Sequence, residues 1–222
     1  FEISLGLTGV LSLWLGIMKI GERGGIIAIF ARWVSPFFSR LFPSLPKDSP
    51  IFVSIFMNFS ANMLGLDNAA TPLGLKAMKE MQEINTQKDK ATDAMIMFLV
   101  LNTTGLTLVP ISVMVYRAQM GAMNPSDVFL PILIATYIST LAGLIITCIK
   151  QRINLFDKVI LSTIAVVTAL IGGVLAFFMN LPQDKVSLYS TVGANSLLFI
   201  IIMLFLIAKI KTFCRKISYF IK

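Results

Sequence analysis

A polar stretch between Asn58 and Gly74 interrupts the apolar sequence and limits what this chain can fold into. It reads NFSANMLGLDNAATPLG and directly follows the strongly apolar run 51–57. Polar groups at membrane depth are costly and tend to mark solute or ion paths. Irregular backbone persists at that depth only where protein or water satisfies it. Whether this stretch lies in the bilayer therefore decides how the chain works.

The composition is that of a polytopic membrane protein. The 222 residues are 56% hydrophobic and 14% charged, with a mean hydropathy of +0.84, whereas soluble domains carry roughly 25% charged residues. A soluble core of this length could not bury so much apolar sequence. The basic residues, which give a net charge of +8, flank apolar segments, so they indicate membrane orientation rather than nucleic-acid binding.

The same composition argues against several kinds of chemistry. The sequence has no His, and its two cysteines lack metal-ligand spacing, so we expect no metal site and no cofactor. It contains no serine elbow, no phosphate-binding loop and no carboxylate pair at membrane depth. We therefore expect no catalytic residues and no enzyme.

The apolar runs predict an all-α protein with about five transmembrane helices. The segment 26–42 carries two arginines and is interrupted by Pro36, which predicts an interfacial amphipathic helix. Residues 1–150 form one expected membrane domain, residues 151–208 add two further spans, and residues 209–222 form a basic cytoplasmic tail or linker. The predicted spans are Ile3–Met18, Ala94–Tyr116, Val128–Ile149, Val159–Asn180 and Leu188–Ala208.

The distribution of positive charge predicts that residues 51–85 form a re-entrant hairpin. If 51–66 crossed the membrane, the basic regions 19–50 and 74–93 would lie on opposite sides, against the positive-inside rule. A hairpin that enters and leaves on one face, with its tip near 65–68, places 17 of the 19 Lys and Arg residues inside. Only Arg117 and Lys185 then lie outside, and the C-terminus is cytoplasmic.

The order Thr71-Pro72 predicts that a helix begins at the hairpin tip. Thr favours the N-cap position and Pro the first helical position. Such a helix start would present unpaired N–H groups and a positive dipole end to a ligand. A helix continuing through 67–72 would contradict this site.

A short internal repeat predicts a second wall for the site. Asn62-Met-Leu-Gly-Leu66 and Asn102-Thr-Thr-Gly-Leu106 share the pattern N-x-x-G-L, forty residues apart. Paired interrupted segments are the best sequence indication of a transporter's binding site, so we expect Asn62 and Asn102 to approach each other. Alternatively, the polar groups only cap broken helices or join neighbouring ones by hydrogen bonds. The candidate substrate-binding residues are Asn58, Asn62, Gly65, Asp67, Asn68, Thr71, Asn102, Thr103, Thr104 and Gly105.

The segments 62–78 and 102–110 resemble the signature of the spore maturation protein A family. The resemblance covers roughly residues 1–150 and implies a "nucleoside recognition", or gate-type, membrane domain with a re-entrant hairpin. Such domains are similar to the membrane core of ferrous-iron transporters and to parts of concentrative nucleoside transporters. In many non-sporulating bacteria an A-type half is fused to a B-type half, and this chain resembles the first half of such a fusion.

Two functions follow from these observations. The first is a transporter-like gate domain of the bacterial inner membrane that binds or moves a small polar solute, with nucleoside-like solutes among the candidates. The second is a non-transporting membrane scaffold or regulator of an envelope or sporulation process. The expected partners are the lipid bilayer, the solute and a B-type second half or partner chain, with a homo-oligomer as a further possibility.

Overall fold

The structure is a computed structural model that describes residues 26–46, 49–65 and 67–181. It also describes isolated helical positions between 5 and 20 and between 185 and 207, but not the side chains of 26–33 and 67–69. The predicted spans Ile3–Met18 and Leu188–Ala208 lie largely outside the described residues, and the predicted tail 209–222 lies wholly outside them.

The described part of the chain is helical. The helices are α1 (Ile26–Leu41), α2 (Ile51–Met63), α3 (Asp67–Ile84), α4 (Asp93–Thr104), α5 (Ile111–Gln119), α6 (Phe129–Lys150) and α7 (Lys158–Met179), with a 3-10 helix at Pro125–Val128 before α6. Two of the helix starts carry clear caps, because Thr92 accepts from the Met95 N–H and Asp157 accepts from the Val159 N–H. Side chains of these types satisfy N–H groups that the first helical turn leaves free.

Among the described residues, two segments are long and apolar enough to cross a membrane, namely Pro125–Lys150 and Lys158–Met179. They confirm the helical character of two of the predicted spans. The other apolar helices are too short to cross alone, since α2 has 13 residues and α4 has 12, about 20 Å each. The hydrocarbon core is about 30 Å thick.

The helices α2 and α3 form a helical hairpin. The residues 64–66 connect them, and the side chain of Asn58 in α2 reaches the backbone of Ala70 in α3. The turn lies at the N-terminal edge of the predicted tip. Towards the open end of the hairpin, Ile51 and Ile55 of α2 share a buried cluster with Ala77 and Met81 of α3.

The predicted span 94–116 is not one helix. It divides into α4 and α5, with irregular backbone at 105–110. Gly105 ends α4 in the left-handed conformation, with φ +46°, and Pro110 precedes the first residue of α5. The break follows from these two residues, because Gly adopts positive φ without a side-chain clash and Pro cannot donate a backbone hydrogen bond.

The segment 26–42 forms a helix, as predicted, and Pro36 does not break it. Pro36 lies inside α1, which runs without a break from residue 26 to residue 41. Phe38 and Leu41 near its C-terminal end, and Phe42 directly after it, are buried in the core. Packing of this apolar face outweighs the one backbone hydrogen bond that a proline removes.

One end of the bundle collects the basic loops. The guanidinium of Arg40, at the end of α1, lies 3.0 Å from the carboxylate of Asp157 at the start of α7. The side-chain amide of Gln151, after α6, donates to the carbonyl of Asp93 at the start of α4 at 2.8 Å. We call this end of the bundle the basic end. It carries Arg40, Lys88, Lys90, Lys150, Arg152 and Lys158.

Candidate functional site

The two breaks in the helices meet each other in space. The carbonyl of Met63, the last residue of α2, accepts from the N–H of Leu108 at 2.7 Å and from that of Val109 at 3.1 Å. The hydroxyl of Ser112 in α5 donates to the carbonyl of Gly65 at 2.5 Å. The backbone groups that one break leaves free are thus satisfied by the other, as irregular backbone within a membrane requires.

The glycines of the two N-x-x-G-L copies both have left-handed backbone. Gly65 and Gly105 have φ +60° and +46°, and each follows the end of a helix. At Gly65 a Cβ would lie 2.9 Å from the Pro110 Cα. Only glycine combines left-handed backbone with so close an approach.

The asparagines of the two copies are hydrogen-bonded, as the repeat predicts. The Nδ2 of Asn62 donates to the Oδ1 of Asn102 at 2.6 Å and to the Oδ1 of Asn58 at 3.4 Å. The Nδ2 of Asn58 donates in turn to the carbonyl of Ala70 at 2.8 Å. We call Asn58, Asn62 and Asn102 the asparagine cluster.

The carbonyl of Ala70 fixes the orientation of the whole asparagine cluster. Because this carbonyl can only accept, the Asn58 amide must turn its NH₂ group towards it and its oxygen towards Asn62. Asn62 must then donate, and Asn102 must present its own oxygen. One backbone group of α3 thereby orders three side chains on two other helices.

A glycine allows the three helices to approach at this point. A Cβ on Gly74 of α3 would lie 2.9 Å from the Asn58 Nδ2 and 3.3 Å from the Asn102 Nδ2. The first distance is below ordinary van der Waals contact, and the neighbour is a hydrogen-bonded buried amide. Gly74 is therefore part of the site's construction.

The asparagine cluster leaves one donor and one acceptor free of partners among the described residues. These are the Nδ2 of Asn102 and the Oδ1 of Asn62, and both side chains are half-buried. Each of these atoms can form a further hydrogen bond. Together they could bind a solute that offers an acceptor and a donor in return.

The asparagine cluster lies deep within the bundle. The Gln151–Asp93 hydrogen bond sets the start of α4 level with the end of α6. Asn102 follows nine residues later on α4, about 14 Å along the helix axis. This depth is close to half of the roughly 30 Å hydrocarbon thickness.

Threonines of α6 support the broken end of α4. The hydroxyl of Thr136 accepts from the Thr107 N–H at 3.2 Å, and that of Thr140 lies 3.5 Å from the Thr104 carbonyl. A Cβ on Gly143 would lie 2.7 Å from the Thr104 Cγ2, so α6 packs closely against α4. These contacts hold Asn102 in place through the helix that carries it.

The remaining predicted site residues are placed differently. Thr103 is exposed and its hydroxyl donates to the Leu99 carbonyl, whereas the hydroxyl of Thr104 donates to the Val100 carbonyl. Thr71 lies on the exposed side of α3. Asp67 and Asn68 begin α3, and their side chains are outside the described part of the structure.

The predicted helix start at Pro72 is wrong, and with it the ligand site at that helix terminus. The helix α3 begins at Asp67 and runs through Thr71 and Pro72, so Thr71 is not its N-cap. The turn at Gly65 has already reversed the chain before Asp67. Pro72 then removes only the bond to the carbonyl four residues earlier.

Several residues that build the site were not predicted. Gly74 is the clearest, although the small residues Ala70, Gly74 and Ala77 recur on the face of α3 towards α2. That spacing indicates close helix packing in membranes. Thr136 and Thr140 sit in an otherwise ordinary apolar span, and no local pattern marks them.

A separate cavity lies on the other side of α2 from the asparagine cluster. Its volume is about 480 Å³, and Ser60 lines it from the α2 face opposite Asn58 and Asn62. The rest of the lining is apolar apart from Tyr137, Thr140 and Thr163, whose hydroxyls are hydrogen-bonded within the protein. This cavity does not suit a polar solute.

Comparison with known proteins now identifies the architecture. Residues 4–123 match the Gate family, described as nucleoside recognition. This range contains α1 to α5 and therefore both breaks. The chain belongs to the Gate family.

The Gate chain is also similar to a curated relative. Spore maturation protein A of Bacillus subtilis (strain 168) is 45% identical to it over 144 residues, which are 65% of this chain and 74% of the relative. No solved structure matches the chain. The family match and the apolar helices together indicate a membrane location for this Gate chain.

Proposed function

We propose that this Gate chain binds a small polar solute at the asparagine cluster and admits it to, or passes it across, the membrane. The observation that carries the proposal is the donor and the acceptor that have no partner among the described residues, at the meeting point of two broken helices. Polar groups at membrane depth that serve only packing can satisfy one another completely. Here the Asn62–Asn102 pair retains a hydrogen-bonding edge beyond its internal bonds.

The geometry favours a solute with an adjacent acceptor and donor of its own. Nucleobases and primary amides carry an acceptor and a donor close together, to which the Asn102 Nδ2 and the Asn62 Oδ1 could donate and accept. The family's description as nucleoside recognition supports the same class. The side chains of the asparagine cluster are uncharged, which favours a neutral group at the point of contact.

The groups at this junction are suited to binding rather than to catalysis. The described side chains around it are amides and hydroxyls, and the backbone supplies the other polar atoms. General acid–base or nucleophilic catalysis needs a group that ionises near neutral pH or an activated nucleophile. The proposal is therefore a non-enzymatic gate.

The proposed membrane topology follows from the basic end of the bundle. In a bacterial inner membrane the positive-inside rule puts this end in the cytoplasm. The hairpin α2–α3 would enter the bilayer from that side and return to it, and the C-terminus would also be cytoplasmic. A B-type half, a partner chain or a second copy would complete the assembly around the Gate chain.

A thermal-shift screen of the purified protein in detergent tests the proposed function. The panel contains nucleosides, amino acids, dipicolinate and divalent cations. A ligand that binds only the folded state raises the unfolding temperature, so nucleosides or amide-bearing solutes should do so. If only cations raise it, or if nothing does, the solute-binding function is wrong and a scaffold or regulatory role takes its place.

A further inference from the structure

The helix α3 carries a charged stripe along its outer side. Thr71, Leu75, Lys79 and Glu83 follow one another at intervals of four residues, and all four are exposed. Lys76 lies beside them with 58% of its side chain exposed, and its ammonium is 3.8 Å from the Glu80 carboxylate. The stripe runs from the hairpin turn to the basic end.

If the hairpin re-enters the membrane as proposed, part of this charged stripe lies at membrane depth. Gly74 contacts the amide of Asn102, and Asn102 is about 14 Å from the basic end of α4. Lys76 is two residues nearer to that end, or about 3 Å along the helix. Its backbone thus lies about 11 Å inside a hydrocarbon layer whose half-thickness is about 15 Å.

Charged side chains at this depth face water or protein rather than lipid. The ion pair of Lys76 and Glu80 is formed within α3 itself, and none of the described helices packs over the stripe. The helix α7 provides the contrast, because its exposed residues at the same depth, Ala165 and Val166, are apolar. Lipid suits α7 and does not suit the stripe on α3.

We infer that the charged stripe of α3 lines a water-filled route from the basic end to the asparagine cluster. The route rests on the proposed solute site, which is its destination. Lys76, Lys79 and Glu83 are exposed along it, and the half-buried Glu80 pairs with Lys76, so the formal charges of the four residues cancel. This balance suits neutral or zwitterionic polar solutes better than strong anions or cations.

Cysteine accessibility in membrane vesicles tests this route with a matched pair of positions. Leu75 of α3 and Val166 of α7 are both apolar, with 67% and 58% of their surfaces exposed. Leu75 lies nine residues before Ile84 at the end of α3, and Val166 lies nine residues after Asp157, the cap of α7. Both positions are therefore about 14 Å from the basic end. Leu75→Cys and Val166→Cys are made singly in the full chain after replacing Cys148 and Cys214 by Ala.

A charged, water-borne methanethiosulfonate is added to inside-out vesicles. It reacts with the thiolate, which forms only where water reaches the thiol. Leu75→Cys should react at least about tenfold faster than Val166→Cys. Equal and slow rates would overturn the route, because they would mean that lipid or a partner chain covers the stripe. Equal and fast rates at the two positions would overturn it too.

Two further measurements keep the result interpretable. Labelling after denaturation in SDS verifies that each cysteine is present, and the abundance in the membrane verifies that each variant is inserted. Fast labelling of Leu75→Cys together with an empty solute screen would leave the route standing and remove the proposed solute site. A positive solute screen together with slow labelling of Leu75→Cys would support the solute site and overturn the route.

Discussion

At the scale of single residues, the site depends on a chain of hydrogen bonds that begins at one carbonyl. Ala70 orients Asn58, Asn58 orients Asn62, and Asn62 orients Asn102. The contact between Asn62 and Asn102 could be predicted from the repeated pattern alone and is confirmed. The part played by Ala70 and Gly74 could not, because the spacing of small residues on α3 indicates close packing but not which side chains a backbone carbonyl orients.

Replacement of Gly74 by Ala tests this arrangement. The added methyl group would displace the Asn58 amide from a distance of 2.9 Å, and overpacking of this kind costs about 1–3 kcal/mol. We expect Gly74→Ala to lower the unfolding temperature and to weaken solute binding. The measurement is thermal unfolding in detergent, with and without the solute.

Gly172→Ala is the matched control. Gly172 also lies inside a helix, but a Cβ there would have no atom within 4 Å among the described residues. Because Ala favours a helix over Gly by about 1 kcal/mol, this variant should be as stable as the native chain or more so. Equal losses in both variants would contradict the close packing at Gly74.

At the scale of elements, the fold depends on two helices that stop short of a full span and meet. The sequence indicated both interruptions, since each contains a Gly three residues after an Asn and precedes a Pro. It misplaced the start of α3, because a Thr-Pro pair also fits within the second turn of a helix when a glycine has turned the chain earlier. The start of α3 is therefore set by the turn at Gly65 and not by the Thr-Pro pair.

Gly65→Ala tests the turn between α2 and α3. Gly65 combines φ +60° with a Cβ position 2.9 Å from the backbone of Pro110. We expect this variant to lose more stability than the roughly 1–2 kcal/mol that left-handed backbone alone costs a non-glycine residue.

Gly121→Ala separates strain from packing. Gly121 has φ +77°, but a Cβ there meets no described atom within 4 Å. The Gly121→Ala variant should therefore lose only the free energy that left-handed backbone costs a non-glycine residue. Its unfolding temperature should fall less than that of Gly65→Ala. A larger loss at Gly121 would contradict the close contact between the two breaks.

At the scale of the whole molecule, the charge distribution along the sequence and the packing of the helices indicate the same arrangement of the loops. The charge distribution along the sequence predicts that the loops around residues 47 and 88 share one side, and the structure gathers the ends of α1, α3 and α6 with the starts of α4 and α7 at one end. The helix breaks could be located from polar residues, whereas the support from α6 could not, since it depends on long-range packing. Re-entry of the hairpin with respect to lipid stays a prediction.

Single cysteines test this topology. Lys47→Cys and Lys88→Cys should be labelled in intact cells by membrane-permeant reagents only, because the positive-inside rule predicts that both positions face the cytoplasm. Met123→Cys is 96% exposed in the loop before α6, at the other end of a span, and should react with impermeant reagents. Labelling of Lys47→Cys and Lys88→Cys from opposite sides would rule out the re-entrant hairpin.

The most direct test of the solute site is a calorimetric titration of three purified proteins with the nucleoside or amide that gives the largest thermal shift. The proteins are the native chain, Asn102→Ala and Asn180→Ala. Asn180 serves as the control, because its amide donates within α7 to the Ala176 carbonyl, far along the chain from the site. Loss of hydrogen bonds at Asn102 should weaken binding by about 1–3 kcal/mol, roughly 5- to 150-fold in Kd, with Asn180→Ala unchanged. Equal affinity of all three proteins for the solute would contradict its binding at the asparagine cluster.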